Sequence, residues 1–86
     1  MQLYEIRIKK SAEKELASLP LDFILAIKVV IEKLAFDPLP KGSKKLKGFI
    51  NLYRIRKGKY RIIYSIHENI LLIEVLKIGK RDSIYN

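Results

Sequence analysis

Residues 52–64, with the sequence LYRIRKGKYRIIY, constrain the fold more than any other part of the chain. Apolar and charged side chains alternate along this segment, Lys57-Gly58 interrupts the pattern, and the alternation then resumes. Alternation with a period of two is typical of a strand with one buried face, and a glycine-containing dipeptide between two such runs predicts a tight hairpin turn. The rest of the chain must therefore supply an apolar layer that covers one face of this hairpin.

The alternation, continued through one further predicted strand, sorts the side chains into two faces, because neighbouring residues of a strand point to opposite sides of a sheet. One face is entirely apolar or aromatic and is expected to meet helices; it comprises Tyr53, Ile55, Tyr60, Ile62, Tyr64, Ile66, Leu71, Ile73 and Val75. The other face is mixed and is expected to point outward; it comprises Leu52, Arg54, Arg56, Lys59, Arg61, Ile63, Ser65, Leu72, Glu74 and Leu76.

Two amphipathic segments upstream of the hairpin predict the helices. Ser11 is expected to cap a short helix over residues 12–19, and Asp22 is expected to cap a longer one over residues 23–36. The apolar residues of the second segment recur every three or four positions, which gives that helix one apolar face.

The remaining segments complete the predicted fold. Asp37-Pro38 is expected to end the second helix, and the prolines, glycines and lysines of residues 38–49 predict a cationic loop. Strands are predicted over residues 3–8, 51–57, 59–67 and 70–78, with a second tight turn at Glu68-Asn69. Residues 1–86 are thus expected to form one domain of the α+β class, with an N-terminal strand, a two-helix hairpin and a three-stranded antiparallel meander, the helices packing on one face of the sheet.

Positive charge is concentrated in one part of the chain. The formal net charge is +9, and the segment between Asp37 and Glu68 contains no acidic residue. Its basic residues are Lys41, Lys44, Lys45, Lys47, Arg54, Arg56, Lys57, Lys59 and Arg61. Such a patch has two interpretations: a binding surface for a polyanionic partner, or a lysine-rich surface that keeps the protein soluble. A surface that serves only solubility usually mixes its signs, which favours the first.

The hairpin places several of these charges on its outer face. If Lys57-Gly58 is a two-residue turn, Arg54 lies opposite Arg61 and Arg56 lies opposite Lys59. Like charges directly opposite one another destabilise a sheet, and an anion bound between them offsets that repulsion. Two interpretations follow: an arginine pair that holds a phosphate through parallel hydrogen bonds, or long side chains that splay into water.

Further cationic and aromatic residues are expected at the ends of this face. The third strand of the meander brings Lys80, Arg81 and Tyr85 to the end near the hairpin turn, and the lysines of the loop approach from the opposite end. A groove of this composition suits single-stranded RNA, because cations pair with phosphates and bases stack on aromatic rings.

Composition argues against several other classes of protein. The chain has no cysteine and one histidine, so no metal site is expected, and a reducing compartment, the cytoplasm, fits. No apolar segment reaches the length of a membrane span, and no glycine-rich nucleotide motif is present, so neither a membrane nor a cofactor is expected.

The segments LKGFINLYRIRKGKYRIIY and VLKIGKRDSIY resemble the RelE/ParE superfamily, the toxins of bacterial and archaeal toxin–antitoxin modules, and the similarity covers essentially the whole chain. Similarity to the RelE-like branch implies a metal-independent endoribonuclease, an mRNA interferase, that cleaves messenger RNA on the 70S ribosome. In that chemistry the ribose 2′-hydroxyl attacks the adjacent phosphorus and the 5′-oxygen leaves. The resemblance also implies a cognate antitoxin protein, with operator DNA bound only through the toxin–antitoxin complex.

The resemblance implies roles for individual residues. Arg61 matches the arginine that stabilises the pentavalent phosphate, Arg81 matches the arginine near the leaving oxygen, and Tyr85 matches the tyrosine that stacks on the scissile nucleotide. The expected catalytic residues are therefore Arg54, Arg56, Arg61, Arg81 and Tyr85, and the expected RNA-binding residues are Lys44, Lys45, Lys47, Lys59 and Lys80.

Arg54 and Arg56 depart from the family pattern, because RelE-like enzymes often have lysines there and one of those lysines is a proposed general base. Arginine keeps the phosphate contact but is a poor base. The base is then Lys47, Lys59 or Tyr85, or catalysis rests on charge stabilisation alone. Two other functions stay open: a ParE-like inhibitor of DNA gyrase, and a non-catalytic RNA-binding protein or inactive toxin.

Overall fold

The computed structural model describes residues 3–80 of the chain. In chain order the elements are β1 (Glu5–Ile8), α1 (Lys10–Ala17), α2 (Leu21–Leu34), β2 (Lys44–Lys45), β3 (Leu52–Lys57), β4 (Tyr60–His67), one turn of 3-10 helix (Glu68–Ile70) and β5 (Leu72–Lys80). Within the described residues, no helix has the length and apolar character needed to cross a bilayer. The predicted order of one strand, two helices and three strands is confirmed, with β2 as an addition inside the predicted loop.

The five strands form one mixed sheet in the order β1-β5-β4-β3-β2. Consecutive antiparallel pairing of β3, β4 and β5 confirms the predicted meander. β1 lies parallel to β5 at one edge, and the chain passes through both helices before it re-enters the sheet as β2 at the other edge. The architecture is of the predicted α+β class.

One face of the sheet packs against the two helices, as the alternation predicts. The helices contribute Ala12, Leu16, Ile27, Ile31 and Leu34 to the core, and the sheet contributes Ile55, Tyr60, Ile62, Tyr64, Ile66, Ile73, Val75 and Ile78. The predicted inner residue Leu71 is an exception, because it precedes β5 and is only half-buried. The opposite face carries no helix and is the polar face of the sheet.

Both helices begin two residues earlier than predicted. The N-cap of α1 is Lys9 rather than Ser11, because the chain enters the helix almost directly from β1. The N-cap of α2 is Pro20, whose φ of −58° suits a helix start and whose carbonyl accepts hydrogen bonds from the amides of Phe23 and Ile24. Asp22 therefore lies in the first turn, where a negative charge favours the helix dipole without a capping bond.

The β3–β4 turn consists of Gly58 and Lys59, not of Lys57 and Gly58. The glycine has a φ of +60°, which fits the first central position of a type II′ hairpin turn. The pairs are consequently Arg56 with Arg61 and Lys57 with Tyr60, so the predicted pairings of Arg54 with Arg61 and of Arg56 with Lys59 are wrong. The register differs by two residues, and an even shift leaves every strand side chain on its predicted face.

The β4–β5 connection and the path of β5 also differ from the prediction. The connection is a 3-10 turn that ends at Leu71 with a left-handed φ of +51°, not a two-residue turn at Glu68-Asn69. Within β5 the pairing shifts between Ile63 with Lys77 and Tyr64 with Val75, so Leu76 is an extra residue in a β-bulge. The bulge brings Lys77 to the polar face and turns Ile78 into the core.

Candidate nucleic-acid interface

Three arginines lie together on the polar face, at the hairpin end of the sheet. Arg56 is directly opposite Arg61, and Arg54, paired with Ile63, is a diagonal neighbour of Arg61. Cβ atoms in such positions are about 4.5–5.5 Å apart for the direct pair and about 7–8 Å apart for the diagonal pair. Although the register was predicted incorrectly, the predicted convergence of these arginines on one face is confirmed.

Two of the three arginines are held closely by their surroundings. Arg54 is 9% exposed and Arg61 is 8% exposed, whereas Arg56 is exposed to solvent. Burial restricts the rotamers of Arg54 and Arg61 before any ligand arrives, so less conformational entropy is lost when these side chains bind an anion. This arrangement favours the phosphate-holding interpretation over arginines that splay freely into water.

The polar face also carries a lysine at each end of the cross-strand row that contains Arg54. Lys44 of β2 pairs with Arg54, and Lys77 of β5 pairs with Ile63, so one row across four strands reads Lys44, Arg54, Ile63, Lys77. Neighbouring strands are about 4.8 Å apart, so the row spans roughly 14 Å. The row therefore extends the cationic surface across four of the five strands.

Lys77 is the site residue that the sequence reasoning missed. Strict alternation places it on the helix-facing side, and only the bulge at Leu76 brings it beside the arginines. The available signal was the spacing of three between the apolar residues Val75 and Ile78, which breaks the period of two.

Two predicted RNA-binding lysines lie elsewhere. Lys59 was expected on the polar face, but its Nζ lies 5.7 Å from the ring centroids of both Phe23 and Tyr60, on the helix-facing side of the turn. That prediction of position is wrong, because Lys59 belongs to the turn and is not a strand residue. Lys80 pairs with Tyr60, which puts it on the helix-facing side at the end of β5.

The loop lysines are divided between two surfaces. Lys45 pairs with Tyr53 and therefore lies on the face opposite to Lys44. Lys47 helps to line a shallow cavity of about 300 Å3 together with Phe49 and Ile50. Phe49 and Ile50 are strongly exposed, so apolar and cationic groups share this surface.

Arg81 and Tyr85 lie outside the described residues. The prediction that the last strand ends near the hairpin turn is confirmed, because Gly79 pairs with Arg61 and Lys80 pairs with Tyr60. β5 therefore ends beside the hairpin turn, at the arginine end of the polar face.

The other end of the polar face carries different chemistry. Glu74 pairs with Ser65 and with Arg7, and Arg7 donates to Glu5 at 3.2 Å. The Oγ of Ser65 and the Nε2 of His67 are 3.0 Å apart.

His67 and Arg61 are six residues apart on β4, a separation of about 20 Å at the rise of an extended strand. The histidine is thus remote from the arginine cluster. Among residues 3–80, no three side chains of the metal-ligating types come together.

Contacts from the helical layer hold the arginine end in place. Glu15 of α1 accepts a hydrogen bond from the amide of Ile78 at 2.9 Å, where β5 extends past the end of β1. Phe23 of α2 meets the ring of Tyr60 edge-on, with 4.8 Å between ring centroids. β4 is therefore held to α2 next to Arg61, and β5 is held to α1 between Lys77 and Gly79.

The fold and the site together define a small basic α+β protein whose helix-free sheet face carries a group of arginines flanked by lysines. A family model described as the ParE toxin of the type II toxin–antitoxin system, parDE, matches residues 6–85. The RelE1 protein of Methanocaldococcus jannaschii is 34% identical, covering 95% of this chain and 94% of its own length. Toxin RelE3 of the same organism is 30% identical, and the match covers 95% of this chain and 96% of RelE3.

Solved structures give the same assignment. The RelE–RelB complex of Pyrococcus horikoshii contains a chain that is 32% identical, with a TM-score of 0.84 and coverage of 94% of this chain and 98% of that one. The RelBE2 complex of Mycobacterium tuberculosis contains a chain that is 25% identical, with a TM-score of 0.80 and coverage of 92% of this chain and 99% of that one. The chain belongs to the RelE/ParE superfamily of toxins from type II toxin–antitoxin systems.

Proposed function

We propose that this toxin is an endoribonuclease that cleaves messenger RNA on the ribosome, in the cytoplasm. The observation that carries the proposal is the group formed by Arg54, Arg56 and Arg61 on the helix-free face of the sheet. Arg54 and Arg61 are buried, which limits the rotamers of both side chains, and arginine binds phosphate oxygens through two parallel hydrogen bonds. The RelE names of the relatives support an RNA-directed rather than a gyrase-directed toxin.

The proposed reaction is an internal transesterification. The 2′-oxygen of the ribose forms a bond to the adjacent phosphorus as its proton leaves, the bond from phosphorus to the 5′-oxygen breaks, and that oxygen gains a proton. The products are a 2′,3′-cyclic phosphate and a 5′-hydroxyl. Arg54, Arg56 and Arg61 stabilise the charge that accumulates on the non-bridging oxygens of the pentavalent phosphate.

The roles of the remaining residues, at the leaving 5′-oxygen, at the scissile nucleotide and at the attacking 2′-hydroxyl, rest on the family resemblance. Arg81 is assigned to the leaving oxygen and Tyr85 to stacking on the scissile nucleotide. Of the three candidates for the general base, Lys59 lies against Phe23 and Tyr60. Lys47 lies beside Phe49 and Ile50, and Tyr85 is the third candidate. Catalysis by charge stabilisation alone is the remaining alternative.

The test is induced expression in cells, with cleavage sites on a reporter message mapped by primer extension. We expect Arg61→Ala and Arg54→Ala to abolish growth arrest and to remove the mapped ends, since each substitution removes a cation from the proposed phosphate site. Lys14→Ala removes an exposed charge from α1 and is the matched control, with cleavage unchanged. Persistence of the same cleavage ends in both arginine variants would contradict the assignment.

A ParE-like gyrase inhibitor is the second candidate, and the description of the matching family favours it. A supercoiling assay with purified gyrase separates the two functions. Inhibition of supercoiling without loss of message would replace the proposal, and tight RNA binding with neither effect would identify a non-catalytic RNA-binding protein.

We further propose a cognate antitoxin as partner, because the solved structures with which this chain aligns include toxin–antitoxin complexes. α2 presents an exposed apolar row, Leu21, Leu25 and Val29, at a spacing of four residues. Beside it lies a groove of about 490 Å3, lined in part by Ile8 and Lys28. An antitoxin that covers these apolar side chains and the cationic face would bury both features, and operator DNA would be bound only by the resulting complex.

Co-expression with the product of the adjacent reading frame tests the partner. We expect that protein to relieve growth arrest and to copurify with the toxin through a size-exclusion column. Continued arrest with no copurification would show that this product is not the antitoxin.

A further inference from the structure

We infer that Lys77 is an additional RNA-contacting residue, which binds the phosphate next to the one held by Arg54 and Arg61. The inference deepens the proposed function and rests on it. Lys77 is exposed and belongs to the polar face because of the bulge at Leu76. Without that bulge its side chain would point toward the helices.

The register gives the position of Lys77 relative to the arginines. It lies beside Ile63, whose other neighbour is Arg54, so about 10 Å separates the backbones of β5 and β3 at this row. Arg61 is its diagonal neighbour across β4 and β5, with Cβ atoms about 7–8 Å apart. Lys77, Arg54 and Arg61 thus surround Ile63, which is 8% exposed and forms an apolar floor between three cations.

Gly79 contributes to the same arrangement. It pairs with Arg61 and is the polar-face residue of β5 that follows Lys77. A glycine leaves no side chain at this position, so a ligand can approach the strand backbone between Lys77 and the hairpin end. A nucleic-acid backbone that passes over Gly79 therefore has Arg61 beside it on β4 and Lys77 two residues away along β5.

The backbone at Lys77 is held in place by contacts with the helical layer. Val75 and Ile78 on either side of the bulge are buried, and the amide of Ile78 donates to the carboxylate of Glu15. The backbone of Lys77 is therefore held in place, while its four-carbon stem remains free to extend. A lysine ammonium is a flexible point charge, which suits a phosphate contact without a fixed angular requirement.

The test compares Lys77→Gln with Lys14→Gln, which removes the same charge from an exposed site in α1. The probe is a 2′-O-methylated single-stranded RNA, because it lacks the attacking hydroxyl and cannot be cut. Affinity is measured between about 50 and 200 mM salt, and thermal unfolding verifies that both variants fold. Cleavage by each variant is measured separately on unmodified messenger RNA that is being translated by ribosomes.

We expect Lys77→Gln to weaken binding roughly threefold to tenfold at low salt and to reduce the slope of log affinity against log salt by about 0.7, the value for one phosphate contact in a single strand. Lys77→Arg retains both quantities, and Lys14→Gln leaves them unchanged. The loss is expected to be the same for RNAs of different sequence, because a phosphate contact carries no base information.

The outcomes distinguish this inference from the proposed function. Equal affinity and slope for Lys77→Gln and Lys14→Gln overturn the role of Lys77, whether or not the wild-type protein cleaves RNA. A Lys77-dependent slope in a protein that makes no cuts overturns the endoribonuclease and supports the contact. A wild-type protein that binds no RNA overturns the role of Lys77, and the proposed function is then decided by cleavage on the ribosome alone.

Discussion

Arg56 and Arg61 lie directly opposite each other across β3 and β4, on the sheet face that the helices leave uncovered. Two guanidinium groups in this relationship can bind oxygens of the same phosphate, because their Cβ atoms are about 5 Å apart and both side chains point the same way. The pair is thus a structural unit, and its energetic contribution to RNA binding is expected to be shared rather than additive.

A double-mutant cycle tests this coupling. We expect Arg56→Gln and Arg61→Gln each to reduce affinity for a 2′-O-methylated RNA by about 1.5–3 kcal/mol, the range for hydrogen bonds to charged groups. The double variant should lose less than the sum by at least about 0.5 kcal/mol, because residues with a shared partner are not independent. Arg7→Gln, on the same face but at the far edge, is the control. Strict additivity would show that the two arginines contact different phosphates.

The fold and the arginine group of the candidate site follow from local sequence patterns. The alternation in residues 52–64 correctly predicts that Arg54, Arg56 and Arg61 share one face. The predicted register is wrong, but the observed pairing differs from it by two residues, and a shift of two leaves every side chain on the same face. The position of the turn was not predictable from the alternation, since it depends on Gly58 adopting a positive φ as the first turn residue.

What escaped prediction depends on contacts between distant parts of the chain. The bulge that exposes Lys77 lies beside an amide bonded to Glu15, 63 residues away in sequence from Ile78. The short strand β2 exists through its pairing with Arg54 and Tyr53, and nothing in its own residues alternates. The aromatic contacts that take Lys59 away from the polar face come from α2, through Phe23.

Gly58→Ala is expected to destabilise the protein by about 1–3 kcal/mol, because an L-residue is strained at φ +60°. An added Cβ would also lie 3.2 Å from Cε1 of Phe23, which is closer than an ordinary contact. Gly42→Ala is the matched control, with a φ of +98° and no atom within 4 Å of the added Cβ. Urea unfolding should show the larger loss for Gly58. Equal losses would mean that the close approach of the added Cβ to Phe23 adds nothing to the backbone strain.

Glu15→Ala is expected to reduce the free energy of unfolding by about 1.5–3 kcal/mol, since the amide of Ile78 loses a charged acceptor. Glu15→Gln should lose less, because its amide oxygen can still accept the bond. Hydrogen exchange at Ile78 reports the effect locally, and Glu32→Ala on exposed α2 serves as the control. Unchanged protection of the Ile78 amide in Glu15→Ala would exclude this contact in solution.

The free energy of unfolding is expected to fall at alkaline pH because of Tyr64. Its hydroxyl donates to the carbonyl of Pro38 at 2.8 Å, and burial raises the pKa of Tyr64 to about 12. The folded protein therefore holds this proton more tightly than the unfolded chain, whose tyrosines titrate near 10. The contribution of Tyr64 is complete below pH 10 and is lost as pH rises toward 12, by up to about 1.4 kcal/mol per pH unit.

Tyr64→Phe isolates this effect from the titration of other groups. At pH 8 the variant is expected to be less stable than wild type by about 0.5–1.5 kcal/mol, because the Pro38 carbonyl loses its donor. The phenylalanine cannot ionise, so the difference between the two proteins should shrink as pH rises above 10 and then reverse. Urea unfolding at intervals from pH 8 to 11.5 measures the difference. A constant difference across that range would show that Tyr64 ionises no less readily in the folded protein than in the unfolded chain.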